Sequence, residues 1–211
     1  MTHISHHISD ALMAAYVSGN LPQAYALVLA THISMCDSCR ASYAAHASIG
    51  GAVLDGSSSV SVSPVLRNRV LDMLDTPPRE DKPFRASGIF PAPLMQAMNG
   101  TPPRWRALGA GIRQSVLYRE KSCSARLLYI PAGEAVPEHG HGGLELTLVL
   151  QGAFEDETGR FGVGDMEIAD GELDHQPVAT GDVPCICLAA TDEPLNFKSL
   201  LPRLLQPVFR I

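Results

Sequence analysis

The sequence lacks the features that would place the protein in a membrane, in a secreted compartment or on nucleic acid. No stretch approaches the roughly 18 to 20 apolar residues that a membrane helix needs, and the N-terminus has no basic segment followed by an apolar run. No basic run occurs, and the formal net charge of −6 opposes direct binding to phosphates. We therefore expect a cytoplasmic protein with no direct contact to nucleic acid or membranes. An acidic surface does suit a basic protein partner.

Cysteine is scarce, and its number, 5 in 211 residues, is odd. Without a secretion signal, an odd count argues against a disulfide framework and favours metal or redox chemistry. Two of the cysteines lie close together near the N-terminus, and two more lie close together near the C-terminus.

The first part of the chain predicts helices. Apolar residues recur at helical spacing from about residues 10, 22, 36 and 66. Gly19-Asn20 should end the first helix, Gly50-Gly51 the third and Thr76-Pro77-Pro78 the fourth. The serine-rich stretch 56–64 is a flexible connector by composition, so the fourth helix should be detached from the first three.

The second part of the chain predicts β-strands. From Trp105 onward, runs such as SARLLYI, LELTLVL and PCICLAA alternate with Gly, Pro and Asp turns, which is typical of a barrel or sandwich. The predicted fold class is therefore α+β multidomain, with a helical bundle at 1–85, a linker at 86–102 and a β-barrel of the jelly-roll type at 103–211. Each domain is expected to have its own small core.

A first set of candidate metal ligands has the pattern His32-x3-Cys36-x2-Cys39. It places an imidazole near the end of one helix and two thiols across the turn into the next, and zinc takes four such ligands. His6 or His7, just before the first helix, can supply the fourth, and we choose His7. Two other interpretations are open: ordinary turn residues, or a redox dithiol, although such dithiols usually follow a strand.

This N-terminal pattern resembles the zinc-binding anti-sigma domain. The resemblance rests on a histidine before the first helix, the His-x3-Cys-x2-Cys motif and a detached fourth helix, and it covers about residues 5–75. It implies a structural Zn²⁺ and a partner among the extracytoplasmic-function sigma factors.

A second set of candidate ligands has the pattern Gly133-x5-His139-x-His141-x3-Glu145-x6-Gly152, which matches the first cupin motif. His139 and His141 alternate onto one face of a strand, and Glu145 enters on the next. The second cupin motif begins at Gly164-Asp165 and supplies the fourth ligand, His175.

The second cupin motif departs from the usual pattern at its turn, where Asp170-Gly171-Glu172 and Ala179 replace family residues. The ligand position is retained. Three histidines and a carboxylate suit several divalent metals, so we expect Zn²⁺, with Fe, Mn or Ni as alternatives. Cys185 and Cys187 alternate along a late strand, and they either face this site, where oxidation could be sensed, or fill the core as small apolar residues.

The order of the two domains resembles the ChrR-type anti-sigma factors over nearly the whole chain. That resemblance implies a non-enzymatic regulator that inhibits an extracytoplasmic-function sigma factor and releases it when singlet oxygen or organic hydroperoxide is sensed through the cupin domain. The alternative is a metal-dependent cupin enzyme, a dioxygenase or isomerase, with a helical assembly domain. The ligand set does not separate these functions; the helical metal motif favours the regulator.

Overall fold

The computed structural model describes residues 3–75, 83–120, 123–140, 142–171 and 173–193, together with the backbone of residues 196–197. Helices come first and strands second, as the sequence predicts. The predicted break at Pro77-Pro78 lies outside the described residues, so the domain boundaries remain a prediction. No helix in the described ranges is both long and apolar enough to cross a bilayer.

The helices begin where capping residues precede them. Ser9 and Ser63 accept hydrogen bonds from backbone N–H groups in the first turns of the first and fourth helices, and the Cys36 sulfur does the same for the third. The helices are α1 (Asp10–Val17), α2 (Gln23–Met35), α3 (Asp37–Asp55), α4 (Pro64–Leu74) and α5 (Ala92–Ala97).

Helix α3 does not end at Gly50-Gly51, as the sequence suggested, but continues to Asp55. A glycine in a helix interior costs only about 1 kcal/mol relative to alanine. The alanine, valine and leucine residues that flank the pair propagate the helix past it. The extension leaves Ile49, Val53 and Leu54 exposed.

Among the described residues, the β part consists of three antiparallel sheets. The large sheet has the order β1-β2-β3-β11-β5-β8, and the smaller ones have the orders β10-β6-β7 and β12-β4-β9. The strands are β1 (Arg106–Gly109), β2 (Ile112–Arg119), β3 (Ser124–Ile130), β4 (His139–Gly140), β5 (Glu145–Gln151), β6 (Ala153–Asp156), β7 (Gly159–Gly162), β8 (Met166–Ala169), β9 (Asp174–His175), β10 (Val178–Thr180), β11 (Cys185–Thr191) and β12 (Asn196–Phe197). This is the cupin-like sandwich that the motif spacing predicts.

The large sheet is buried on both faces, which explains the almost continuous apolar runs of β5 and β11. On one face Val149 packs with Phe154 and Phe161 of the small sheet β10-β6-β7. On the other face Leu148 and Leu188 belong to the cluster that contains the helices.

The helices and the large sheet share one hydrophobic core, which differs from the expectation of two separate cores. Met13, Val28 and Leu29 are fully buried in the same cluster as Leu127 and Leu146 of the sheet. Burying such side chains stabilises by about 1.5–3 kcal/mol each. An amphipathic helix has the same sequence pattern whether it packs on other helices or on a sheet. The contact between the helices and the large sheet could therefore not be predicted from the sequence.

The segment 86–102, predicted as a linker, contains helix α5. Leu94 of this helix is completely buried and Met98 nearly so, both in the shared core. The prolines at positions 91 and 93 suggested a loose stretch, yet Pro91 is the residue before α5 and Pro93 lies in its first turn, where proline is tolerated.

Replacing Tyr25 with phenylalanine should destabilise the contact between helices and sheet. The Tyr25 hydroxyl donates a hydrogen bond of 2.6 Å to the Leu144 carbonyl, and its ring is 2% exposed. Without this bond the free energy of unfolding should fall by about 1 kcal/mol, measured by chemical denaturation of the whole chain. Tyr43→Phe, which makes the same change at an exposed tyrosine of α3, is the control, and equal stability of both variants would contradict the expectation.

Candidate functional site

The structure brings together the four side chains predicted as ligands of the helical site, His7, His32, Cys36 and Cys39. His32 lies in the last turn of α2, Cys36 forms the corner between α2 and α3, and Cys39 lies in the first turn of α3. His7 arrives from the extended segment before α1. The His32, Cys36 and Cys39 positions are buried and His7 is exposed, so the cluster lies at the edge of the core.

Three distances among the four ligand atoms are close to those expected around a tetrahedral ion. The Cys36 and Cys39 sulfurs lie 3.3 and 3.6 Å from Nδ1 of His7, and Nε2 of His32 lies 3.2 Å from the Cys39 sulfur. Tetrahedral zinc with two nitrogen and two sulfur ligands separates its ligand atoms by about 3.3–3.8 Å. The cluster is therefore consistent with a zinc site.

Burial affects the protonation of the histidine and cysteine ligands of this cluster in different ways. Burial, with a smaller effect from His7, lowers the pKa of His32 to about 4, so its imidazole is neutral near pH 7 and can donate a lone pair. Burial also raises the pKa of the Cys39 thiol. Zinc binding must displace such protons, because thiolate is the ligand form.

His6, the other candidate for the fourth position, lies outside the cluster. Its Nδ1 is 3.4 Å from Oδ1 of Asp165, and its ring centroid is 4.4 Å from that of Phe161 on β7. The two adjacent histidines thus point to different parts of the molecule, His7 to the helices and His6 to the β part.

The predicted cupin ligands His139 and His175 also meet. Strands β4 and β9 pair these residues directly, and their Nε2 atoms are 3.3 Å apart. Nδ1 of His139 donates to the Pro137 carbonyl at 2.8 Å, and Nδ1 of His175 faces Oδ2 of Asp156 at 2.6 Å. With both Nδ1 atoms directed at acceptors, the two Nε2 atoms need a proton or a metal ion between them.

Glu145 and His139 line the same internal cavity, which has a volume of about 60 Å³. That is room for a metal ion with a small ligand or a few water molecules. Glu145 accepts a hydrogen bond of 3.0 Å from Thr147. The fourth predicted ligand, His141, lies outside the described residues.

Two buried carboxylates beside His175 were not predicted. Asp156 of β6 and Glu167 of β8 lie within 4.8 Å of it, with Glu167 Oε1 3.2 Å from its Nδ1. Burial would lower the pKa of His175, but Glu167 and Asp156 outweigh it and raise that pKa to about 9. Burial raises the pKa of Glu167 to about 7. Neither residue belongs to a recognised sequence motif. The only hint in the sequence was an acidic residue within an otherwise apolar strand, such as Glu167 in the run MEIA.

The cysteines of β11 face the interior of the β part. Cys187 lines the cavity together with Glu145 and His139, and Cys185 packs in the neighbouring inter-sheet cluster. Of the two interpretations of this pair, the structure places Cys187 at the candidate site and Cys185 in the core. Cys123 is buried in the core shared with the helices.

A third feature is an exposed apolar surface. All described residues from 47 to 75 are exposed, including four residues of α4 that we call the α4 stripe: Leu66, Val70, Met73 and Leu74. Large apolar side chains exposed together usually mark a protein interface. The α4 stripe therefore indicates a partner.

Comparison with known proteins gives consistent matches. The family model described as the ChrR cupin-like domain matches residues 96–193. The anti-sigma-E factor ChrR of Cereibacter sphaeroides is 52% identical over 211 residues, 99% of this chain and 99% of that protein. A chain in the crystal structure of Rhodobacter sphaeroides SigE in complex with the anti-sigma ChrR is 50% identical, covers 90% of this chain and 100% of its own, and superposes with a TM-score of 0.80. The present chain belongs to the ChrR family of anti-sigma factors.

Proposed function

We propose that this protein binds and inhibits an extracytoplasmic-function sigma factor. The observation that carries the proposal is the match, over almost the whole chain, to an anti-sigma factor. A similar chain has been crystallised in complex with SigE. The exposed α4 stripe supplies an apolar surface of the kind such an interface needs. The same full-length match favours regulation over the alternative of a cupin enzyme, which left the helical cluster unexplained.

Two helical segments can contact different faces of the partner. The connector 56–63 between α3 and α4 is exposed throughout. A fully extended chain spans at most about 3.3–3.6 Å per residue, so this connector can separate the two helices by about 25 Å. Helix α4 can therefore bind one face of the partner while α1–α3 bind another.

The helical cluster would hold a structural Zn²⁺ through His7, His32, Cys36 and Cys39. A closed set of four protein ligands contributes folding free energy and leaves no open position for a substrate. By this proposal the ion fixes the corner between α2 and α3 and ties the segment before α1 to it.

The cupin cluster would hold a second divalent metal through His139, Glu145 and His175, with His141 as the expected fourth ligand. The metal would act there as a Lewis acid or redox centre. The residues around it orient the ligands: Pro137 and Asp156 fix the rings of His139 and His175 through their Nδ1 atoms. Cys187 places an oxidisable sulfur in the same cavity.

We further propose that singlet oxygen or an organic hydroperoxide acts at this cupin site and thereby releases the sigma factor. Replacing Glu145 with glutamine or His175 with alanine should leave inhibition intact, because neither side chain belongs to the helical cluster or the α4 stripe. Induction by the oxidant should be lost. Reporter transcription from a promoter of the sigma factor, with and without oxidant, measures both effects.

The exposed Glu155→Gln on β6 is the matched control for Glu145→Gln, since it removes the same charge outside the cavity. It should inhibit and induce like the unaltered chain. Normal induction in the Glu145 and His175 variants would rule out the cupin site as the sensor, and absence of repression by the unaltered chain would refute the anti-sigma function itself.

A further inference from the structure

The zinc ligand His7 is held differently from the other three. His32, Cys36 and Cys39 are fixed by helices α2 and α3 and by their shared corner. His7 is exposed and lies in residues 4–7, a segment without helix or strand that we call the N-terminal strap. A segment without helix or strand loses conformational entropy when it is held in one place, and other contacts must offset that loss. The strap therefore needs an anchor.

That anchor is Asp165, at the turn between β7 and β8. Its Oδ1 accepts hydrogen bonds from the backbone N–H of Ser5 at 2.7 Å and of His6 at 2.9 Å, and from the Ser5 hydroxyl at 3.3 Å. Its Oδ2 accepts from the Gly162 N–H at 2.9 Å. Asp165 is only 5% exposed, so these are charge-assisted bonds in a largely dry place.

Two further contacts fix the strap along the same turn. The Met166 N–H donates to the His6 carbonyl at 3.3 Å, so the strap is hydrogen-bonded to the first residue of β8. The Ile4 side chain covers Gly164, where a Cβ atom would lie 2.5 Å from Cδ1 of Ile4 and where φ is +92°. Only glycine allows this close approach.

The anchor is separate from the cupin site. None of the hydrogen bonds that Asp165 accepts from the strap or from Gly162 involves His139, Glu145 or His175.

We propose that Asp165 is a positioning residue for the zinc ligand His7, so that the β part of the chain completes the metal site of the helical part. This inference rests on the proposed zinc site. It makes the affinity of that site a property of both parts of the chain, since three ligands come from the helices and the fourth is held by the β7–β8 turn.

The test uses Co²⁺ in place of zinc in the full chain under reducing, oxygen-free conditions. Thiolate-to-cobalt absorption bands report the cysteine-containing cluster, and their loss in Cys36→Ser assigns them to it. Replacing Asp165 with alanine should lower the cobalt affinity about tenfold, as removing a residue that orients a metal ligand typically does. Asp165→Asn retains one oxygen for the Ser5 and His6 N–H groups and should lose less.

Ile4→Ala provides a second route to the same result, because it loosens the strap without altering the β part. It too should weaken cobalt binding. Asp182→Ala, an exposed aspartate in the turn before β11, is the control and should bind cobalt like the unaltered chain. The thermal midpoint of each metal-free variant separates loss of the fold from loss of the anchor.

Unchanged cobalt affinity in both Asp165→Ala and Ile4→Ala would overturn the role of Asp165 while leaving the zinc site standing. If the unaltered chain gave no thiolate-to-cobalt bands, the zinc site itself would fail. The two failures are therefore distinguishable.

Discussion

Replacing Cys36 with serine should release the sigma factor without any oxidant. Cys36 supplies both a candidate zinc ligand and the sulfur that caps α3 by accepting the Cys39 N–H. Zinc contributes on the order of 10 kcal/mol to folding in small zinc-stabilised units, so losing a ligand should loosen the α2–α3 corner and the partner interface with it. Reporter transcription should rise to the level of cells that lack the inhibitor, and the purified chain should contain one zinc ion fewer.

Cys123→Ser is the matched control for this prediction, because it removes a buried thiol outside the cluster. It should keep both the zinc and the inhibition. A Cys36→Ser chain that loses zinc and still represses transcription would show that the ion is dispensable for binding the sigma factor.

A single negative charge in the α4 stripe should weaken sigma-factor binding by about thirtyfold or more. Leu66 and Val70 lie one helical turn apart and are 50% and 52% exposed, so Leu66→Asp or Val70→Asp leaves the fold of the free chain intact. If the stripe is buried against the partner, truncating or charging a central residue costs about 2 kcal/mol or more. Calorimetric titration with the purified sigma factor measures the change.

Asn68→Asp adds the same charge to the same helix on the face opposite the α4 stripe. It should bind within a few-fold of the unaltered chain. Equal weakening by all three variants would point to a general charge effect of α4, and no weakening by Leu66→Asp or Val70→Asp would remove the stripe from the interface.

The candidate sites were predictable because their signals are local. His32, Cys36 and Cys39 lie within one helix–helix corner, and the cupin ligands belong to two short motifs, the first with His139 and Glu145 and the second with His175. Each motif consists of ligand-forming residue types at short, fixed spacings. The fold then brings the separate motifs together to complete each site. The fold class could be predicted because apolar residues at helical spacing in the first part of the chain give way to short strand-like runs between turns in the second.

The rest depended on contacts between distant parts of the sequence. Nothing near Tyr25 predicts that its hydroxyl meets the Leu144 carbonyl, and nothing near Asp165 predicts that its carboxylate binds the backbone of Ser5 and His6. Backbone donors carry no sequence signal. For the same reason the burial of α2 against the large sheet was missed, since an apolar helix face does not specify what covers it.

The apolar face of α2 also limits how this architecture can be divided or recombined. A fragment ending at residue 85 would present Tyr25, Val28 and Leu29 to water, and such a surface favours self-association. Any other domain joined to these helices would have to supply an apolar face at the same place, and a residue like Asp165 beside it. The helical part therefore depends on the β part for burial of its apolar face, and exchanging the β part for another domain would require a redesigned α2.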